Sequence, residues 1–203
     1  MKIKNFMEML SSRAATPGGG SVAALTGAMG AALLSMVGNL TVGKEQYKEV
    51  EDDIKGLLIK SESLRIKLEE LMEKDVEVFN QFMSIMKLPR TNEEEKIYRN
   101  QKMQIASIEA AKVPSEVARK CKEVIDICSE VAVKGTRNAI SDVGVGVLLA
   151  EAAFHSAIIN VKINLNMIKD ENTKKELSQE IENLNNMVKG EKEKVLEIVL
   201  ERL

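Results

Sequence analysis

The sequence predicts an all-α protein, and three observations support this fold class. Aromatic residues make up only 3% of the chain and tryptophan is absent, whereas the strong helix formers Ala, Leu, Glu, Lys and Met are abundant. The apolar run over residues 22–40 is too long for a β-strand. Apolar residues also recur every three or four positions over residues 46–86. We therefore predict one helical-bundle domain over residues 1–203, with about seven helices around a buried central helix rich in small residues.

Charge and cysteine content narrow the functional classes. The net charge is −2, which argues against nucleic acid or an acidic membrane surface as a partner. The first residues lack the apolar core of a signal peptide, so we expect a cytoplasmic protein. Cys121 and Cys128 are seven residues apart on a predicted helix, too far for a disulfide, and we expect reduced, half-buried packing residues. A single histidine without a Cys/His cluster predicts no metal site.

The central helix begins at a glycine-rich loop. No charge occurs between Arg13 and Lys44, and Pro17 is followed by three glycines, which predicts a tight loop over residues 16–20. Ser21 is a candidate cap for the helix that follows. The free N–H groups and the positive end of the helix dipole would then point at this loop. The loop is therefore a candidate anion-accepting site.

Two alternatives apply to this segment. Small residues recur at four-residue spacing (Ala23, Gly27 and Ala31), a pattern that also occurs in membrane spans. The abundance of Ala, Gly, Ser and Thr and the expected absence of a second span argue against a membrane helix. The loop could also be an ordinary turn; it is not a Walker loop, because no lysine separates Gly20 from Ser21.

A carboxylate interrupts the apolar stripe of the next long helix, predicted over residues 46–86. Asp75 occupies a position of this stripe, and its neighbours three and four residues away are all apolar. Burying a charge is costly unless the group is paired or has a function. The two alternatives are a buried basic partner, such as an arginine, and a functional carboxylate. The complete stripe consists of Ile54, Leu57, Ser61, Leu64, Leu68, Leu71, Asp75, Val78, Phe82 and Ile85.

Four further helices are expected, in addition to a short one over residues 3–10. Asn92 opens a helix with three glutamates in its first turn, which complement the helix dipole. This helix would end at Lys112, and Pro114 would begin the next, which Gly135 terminates. A long apolar helix follows residues 135–146, and an amphipathic helix over residues 172–203 completes the chain.

Polar residues mark both ends of the long apolar helix. Asn138 or Ser141 is a candidate cap, and Asp142 lies near the first turn, where capping is the alternative to a functional role. Further along, Asn160 and Asn164 follow a line of small residues on one face, and inward amides need partners. Glu151 has mostly apolar neighbours and is expected to be partly buried.

Several motifs together resemble one enzyme family. These are Thr-Pro-Gly-Gly-Gly-Ser-Val-Ala-Ala-Leu from Thr16, Val113-Pro114, Ser141-Asp142 and Asn-Val-Lys-Ile-Asn from Asn160. They resemble the deaminase domain of the formiminotransferase-cyclodeaminase family, which includes stand-alone methenyltetrahydrofolate cyclohydrolases. The likeness covers nearly the whole chain. No formiminotransferase domain is recognised, so only the second half-reaction of the bifunctional proteins is implied.

The resemblance implies a homodimeric enzyme acting on a one-carbon tetrahydrofolate, without metal or cofactor. We expect a methenyltetrahydrofolate cyclohydrolase; the alternatives are a formimidoyltetrahydrofolate cyclodeaminase and, in another class, a non-catalytic helical dimerisation protein. Asp75 and Asp142 are the implied acid/base and cation-stabilising groups. Arg90, with Lys44 and Tyr47, is a candidate contact for the glutamate tail of the folate. The implied substrate-binding residues are Pro17, Gly18, Gly19, Gly20, Ser21, Lys44, Tyr47, Asn138, Ser141, Asn160 and Asn164.

Overall fold

The computed structural model describes residues 2–203; Met1, the first residue of the predicted domain, lies outside the described residues. Helices account for most of these residues, and none of residues 2–203 is in a β-strand, so the all-α prediction is confirmed. The helices are α1 (Ile3–Leu10), α2 (Gly19–Thr41), α3 (Glu51–Met86), α4 (Glu93–Lys134), α5 (Ile140–Leu165), α6 (Glu171–Val188) and α7 (Glu191–Arg202). Short 3-10 turns, Glu45–Val50 and Arg137–Ala139, precede α3 and α5.

Helix α2 lies at the centre of the fold, as predicted, and packs against α3, α4 and α5. Its glycines allow these close contacts. A Cβ added at Gly27 would lie 2.7 Å from the Sγ of Cys121 on α4, and one at Gly30 would lie 3.0 Å from the carbonyl oxygen of Gly146 on α5. Larger side chains at these positions would force the helices apart.

The stripe predicted on α3 forms its buried face. Eight of its ten members are buried, and Asp75 is half-buried among them. The helix begins later than predicted, because residues Glu45–Val50 form a 3-10 turn and α3 starts at Glu51. The predicted cap of α4 is confirmed, since the Asn92 side chain accepts a hydrogen bond from the N–H of Glu95 at 2.8 Å.

The predicted break at Pro114 is wrong, because α4 runs through it from Glu93 to Lys134. Proline has no N–H, so the carbonyl of Ala110 lacks its usual donor four residues ahead. The side-chain amide of Asn164 on α5 supplies a replacement and donates to the Ala110 oxygen at 2.6 Å. A neighbouring helix thus repairs the interruption.

Other helix ends also differ from the predictions. The final helix is divided by Gly190, which adopts a left-handed conformation with φ of 82°; such a conformation interrupts a helix and suits glycine. Ser21 is not the cap of α2, which begins at Gly19 with Gly18 in the cap position. Cys121 and Cys128 are fully buried rather than half-buried, and burial raises the pKa of the Cys121 thiol to about 12.

Helices α2 and α5 run antiparallel, and this arrangement defines two ends of the molecule. At the first end Gly19 approaches the Asn160 side chain at the end of α5. At the second end the Thr41 hydroxyl accepts a hydrogen bond from the N–H of Thr136, just before α5, at 2.8 Å. Both helices extend between these ends.

Two segments are long and apolar enough to cross a membrane by length and composition, Gly19–Thr41 and Arg137–Leu165. The expectation that no second segment of this kind exists is therefore wrong. In the fold, 61% of the most apolar 18-residue stretch of the first segment is buried. For the second segment the buried share is 50%. The same property is common to core helices of globular proteins.

Candidate active site

A cavity of about 280 Å3 lies at the first end of the molecule. It is bounded by the glycine-rich loop and the start of α2, by the C-terminal part of α3, by the middle of α4 and by the end of α5. Its polar groups are the Asp75 carboxylate, the amides of Asn160 and Asn164, and main-chain groups of the loop. Its lining consists of Ala15, Thr16, Gly18, Gly19, Gly20, Asp75, Val78, Phe79, Phe82, Ala110, Val113, Asn160, Ile163, Asn164 and Met167.

The Asp75 side chain packs directly on the start of α2. A Cβ added at Gly20 would lie 2.7 Å from the Cγ of Asp75, so only glycine permits this approach. The Ser21 hydroxyl donates to Asp75 Oδ2 at 2.7 Å. Ser21 therefore holds the carboxylate instead of capping the helix.

Asp75 has no cationic partner. Among residues 2–203 no lysine or arginine forms an ion pair with it, so the predicted alternative of a buried arginine is wrong. Burial raises the pKa of the Asp75 carboxyl, while hydrogen bonds from the hydroxyl and main chain of Ser21 oppose the rise. A carboxyl group with a raised pKa in a cavity is a candidate for proton transfer.

The two predicted amides lie beside each other on the last turns of α5. The Asn160 Nδ2 donates to the Ser156 carbonyl at 2.8 Å, and Asn164 is held by Ala110 as described above. In both residues the amide nitrogen is engaged within the protein. The amide oxygens of these fixed side chains are therefore the groups that can accept hydrogen bonds in the cavity.

The structure places the other predicted site residues at the second end. Lys44 Nζ donates to the Thr136 hydroxyl at 3.2 Å, and the Tyr47 hydroxyl accepts from the N–H of Arg137 at 3.0 Å. This hydrogen bond lowers the pKa of Tyr47. Asn138 lies beside Lys44 in an open depression formed by Lys44, Glu45, Gln46 and Asn138.

The capping roles proposed for the start of α5 are not observed. The cap position is occupied by Ala139, and neither Asn138 nor Ser141 caps α5 through its side chain. Asp142 is half-buried in the first turn. Within residues 2–203 its carboxylate has no hydrogen-bond or salt-bridge partner, and its position in the first turn complements the helix dipole.

The predicted residues therefore form two groups. Pro17 and the glycines through Ser21 adjoin Asp75, Asn160 and Asn164 at the first end, whereas Lys44, Tyr47, Asn138, Ser141 and Asp142 lie at the second end. Arg90 lies in the exposed loop between α3 and α4. A single subunit does not bring Asp75 and Asp142 together.

Sequence reasoning missed the apolar walls of the cavity. Phe82, Ile163 and Met167 line it but were assigned to packing or not considered. The sequence did contain a signal for Ile163. It lies three residues after Asn160, so on a helix the two side chains are neighbours on the surface. Glu151, which was expected to be partly buried, forms an ion pair with Lys192 on α7 at 3.0 Å, so it has a structural partner.

A wider open groove of about 690 Å3 lies between α3 and α4 but contains none of the predicted site residues. Within the groove Lys120 pairs with Glu116 and, at 2.6 Å, with Glu123. Three further charged lining residues pair with side chains outside the groove; these are Lys67, Asp126 and Glu130. In the described chain no three His, Cys, Asp or Glu side chains cluster closely enough to hold a metal ion.

Fold and cavity together define an all-helical protein whose candidate site presents a half-buried carboxylate, two fixed amides and a glycine-rich helix start. The chain belongs to the formiminotransferase-cyclodeaminase family, whose model matches residues 2–183. The family resemblance inferred from the motifs is thereby confirmed.

Individual relatives fall into two groups. The chain is 48% identical over 182 residues to the methenyltetrahydrofolate cyclohydrolase of Methylorubrum extorquens, covering 90% of this chain and 88% of that protein. It is 34% identical over 182 residues to the formimidoyltransferase-cyclodeaminase of Sus scrofa, covering 90% of this chain but only 34% of that protein. The crystal structure of formiminotetrahydrofolate cyclodeaminase from Thermotoga maritima superimposes with a TM-score of 0.88 at 33% identity, covering 99% and 96% of the two chains.

Proposed function

We propose that the protein hydrolyses 5,10-methenyltetrahydrofolate to 10-formyltetrahydrofolate. The observation that carries this proposal is the Asp75 carboxylate, which lies in the cavity without a cation and is held by Ser21. The choice of hydrolysis is supported by the 48% identity to a cyclohydrolase that matches this chain over most of both lengths.

The reaction requires one group that first accepts a proton and then donates it. Asp75 takes a proton from water as the water oxygen attacks the methenyl carbon between N5 and N10. It then returns this proton to N5 as the bond between N5 and the carbon breaks. The remaining hydroxyl loses its proton to solvent as the formyl group forms on N10, so the net reaction consumes water and releases one proton. While ionised, the carboxylate also stabilises the cationic ring of the substrate.

The cavity walls provide the binding contacts. The Phe79 and Phe82 rings form an apolar surface for the fused ring system of the folate. The fixed amide oxygens of Asn160 and Asn164 accept hydrogen bonds from its ring N–H and amino groups. The free N–H groups at the start of α2 donate hydrogen bonds to polar atoms of the substrate that lie near the glycine-rich loop.

A second candidate reaction is cyclodeamination of 5-formimidoyltetrahydrofolate. It is favoured by the structural likeness to the Thermotoga maritima cyclodeaminase across nearly the full chain. There N10 attacks the formimidoyl carbon, and ammonia leaves after receiving a proton. Both reactions pass through a tetrahedral carbon between N5 and N10, so Asp75 could serve either.

The working form is a cytoplasmic homodimer that needs neither nucleic acid nor a membrane. Support comes from the net charge of −2 and from apolar positions of α2 and α5 that remain exposed in one subunit. In this arrangement the two apolar helices form core and subunit contacts instead of spanning a membrane.

The test supplies each substrate separately to the purified protein and follows the absorbance of the methenyl form. Hydrolysis should make this absorbance fall faster than in buffer alone, whereas deamination makes it rise and releases ammonia. Fast ammonia release without accelerated hydrolysis would assign the protein to the cyclodeaminases. Absence of both turnover and folate binding would instead identify a non-catalytic dimerisation protein and contradict the proposal.

A further inference from the structure

We propose that Pro114, which does not line the cavity itself, is a positioning residue for substrate recognition: its missing N–H fixes the Asn164 amide with the oxygen free for the folate. The inference rests on the proposed function, because it concerns the binding of the same substrate in the same cavity. It follows from the place of the proline in α4 and from the hydrogen bonds of the two cavity amides.

Pro114 lies inside a helix that forms one wall of the cavity. It is buried within α4, whereas Ala110 and Val113 on the same helix belong to the cavity lining. A proline in a helix interior has no N–H to offer the carbonyl four residues earlier. The carbonyl that loses its helical donor is that of Ala110. An acceptor in need of a donor therefore lies at the edge of the cavity.

This carbonyl determines which way the Asn164 amide faces. A carbonyl oxygen only accepts, so the amide turns its Nδ2 toward Ala110 and donates there at 2.6 Å. Asn164 lines the cavity, and within residues 2–203 its amide oxygen accepts no hydrogen bond. This oxygen is available to a ring N–H or amino group of the folate. Turning the amide over would leave the Ala110 carbonyl without a donor and set two oxygens against each other.

The neighbouring amide of Asn160 is held in a different way. Its Nδ2 donates to the Ser156 carbonyl at 2.8 Å. This carbonyl lies four residues earlier in α5, so the main-chain N–H of Asn160 is its helical donor. Loss of the side-chain hydrogen bond would leave no carbonyl unpaired there. Only Asn164 is held by an acceptor whose helical donor is missing, and Pro114 is the cause.

Pro114→Ala restores the missing N–H and should release the amide. The N–H of residue 114 then pairs with the Ala110 carbonyl as in any helix. With two or three staggered χ1 positions and two amide orientations, the binding-competent arrangement of Asn164 becomes one of about four to six. The apparent affinity falls by the same factor. We expect the KM for the methenyl substrate to rise about fourfold and kcat to stay near the wild-type value, because Asp75 is unchanged.

A double-mutant cycle on ligand affinity tests whether Pro114 acts through Asn164. Calorimetric titration of 5-formyltetrahydrofolate into the wild type, Pro114→Ala, Asn164→Ala and the double variant gives four dissociation constants. We expect Pro114→Ala to weaken binding about fourfold and Asn164→Ala about tenfold, and the double variant to bind no more weakly than Asn164→Ala. Losses that multiply in the double variant would show that Pro114 acts through the shape of α4 and would overturn the inference. Wild-type affinity in either single variant would overturn it as well.

Ser115→Ala is the matched control on the same helix. Ser115 is buried next to Pro114, and its hydroxyl donates to Glu180 on α6 at 3.0 Å. The substitution disturbs α4 beside the proline but supplies no N–H to the Ala110 carbonyl. This variant should bind the probe as the wild type does. A loss equal to that of Pro114→Ala would attribute both losses to a general disturbance of α4 and contradict the inference.

Hydrogen exchange measures the fixed amide in the unaltered protein. NMR of the wild type with isotope-labelled asparagine follows the side-chain NH2 of Asn164, whose signals are identified by their absence in Asn164→Ala. They should exchange at least about tenfold more slowly than those of the exposed Asn186. Equal exchange rates would overturn the inference, whether or not Pro114→Ala folds.

The wild type also separates failure of this inference from failure of the proposed function. A wild type that neither binds nor turns over a folate removes the proposed function and this inference together. Folate binding by the wild type that Pro114→Ala leaves unchanged removes the inference alone.

Discussion

At the level of single residues, the site depends on how Asp75 is held. The carboxylate is half-buried and hydrogen-bonded by Ser21 rather than neutralised by a cation. Gly20 leaves the space that allows this approach. A cationic partner would stabilise the ionised form and make proton return difficult, whereas a hydroxyl leaves the group able to exchange protons.

Replacing Asp75 by Asn tests this assignment. The amide oxygen can still accept from Ser21, so the fold should be kept, while turnover should fall by about 10²–10⁴-fold because the proton-transfer group is lost. Single-turnover measurements with the methenyl substrate provide the rate. Near-normal turnover in the variant would contradict the catalytic role.

The pH dependence of stability gives an independent check on the same variant. The folded pKa of Asp75 is raised, so the unfolded chain ionises first as pH increases. The wild type should therefore lose stability relative to Asp75→Asn from about pH 3.9 up to the raised folded pKa, and keep that deficit at higher pH. Urea unfolding at several pH values measures the difference. A wild type that gains stability relative to the variant as the pH rises from about 3 to 7 would contradict the raised pKa of Asp75.

At the level of helices, the contact between α4 and α5 explains a prediction that was wrong. Pro114 was expected to begin a helix, which is its common position, but it lies inside α4. The compensating donor comes from Asn164, fifty residues later in the chain. Local sequence rules cannot include such a partner, because it depends on which helices become neighbours.

A double-mutant cycle measures this repair. Asn164→Ala should destabilise the protein by about 1 kcal/mol, because the Ala110 carbonyl loses its donor. In a Pro114→Ala background the residue-114 N–H supplies the helical hydrogen bond, and the same change should cost little. Chemical denaturation of the four proteins gives the coupling free energy. Equal costs in both backgrounds would show that the hydrogen bond contributes nothing to stability.

At the scale of the whole molecule, the sequence predicted the helical class, the central position of α2 and the buried stripe of α3. These follow from composition and periodicity, which act locally. The division of the polar motif residues between two ends was not foreseen, because a motif states which residues occur and not how far a helix separates them. Likewise, the division of the last helix at Gly190 depends on one left-handed residue within an otherwise helical pattern.

The central claim is that the cavity beside Asp75 binds the folate, and a pair of glycine variants tests it. A Cβ added at Gly19 would meet the Asn160 amide at 3.6 Å, an ordinary contact, so leucine there should fit the helix and occupy the cavity. Gly56 on α3 has no atom within 4 Å of an added Cβ and lies outside the cavity lining, so Gly56→Leu is the matched control.

The deciding measurement is calorimetric titration of 5-formyltetrahydrofolate, a reduced folate used here as a binding probe, into the wild type and both variants. We expect equal affinity for the wild type and Gly56→Leu. For Gly19→Leu we expect affinity at least about tenfold weaker, with the helical circular dichroism retained. Wild-type affinity in a folded Gly19→Leu variant would contradict the assignment of this cavity as the folate site.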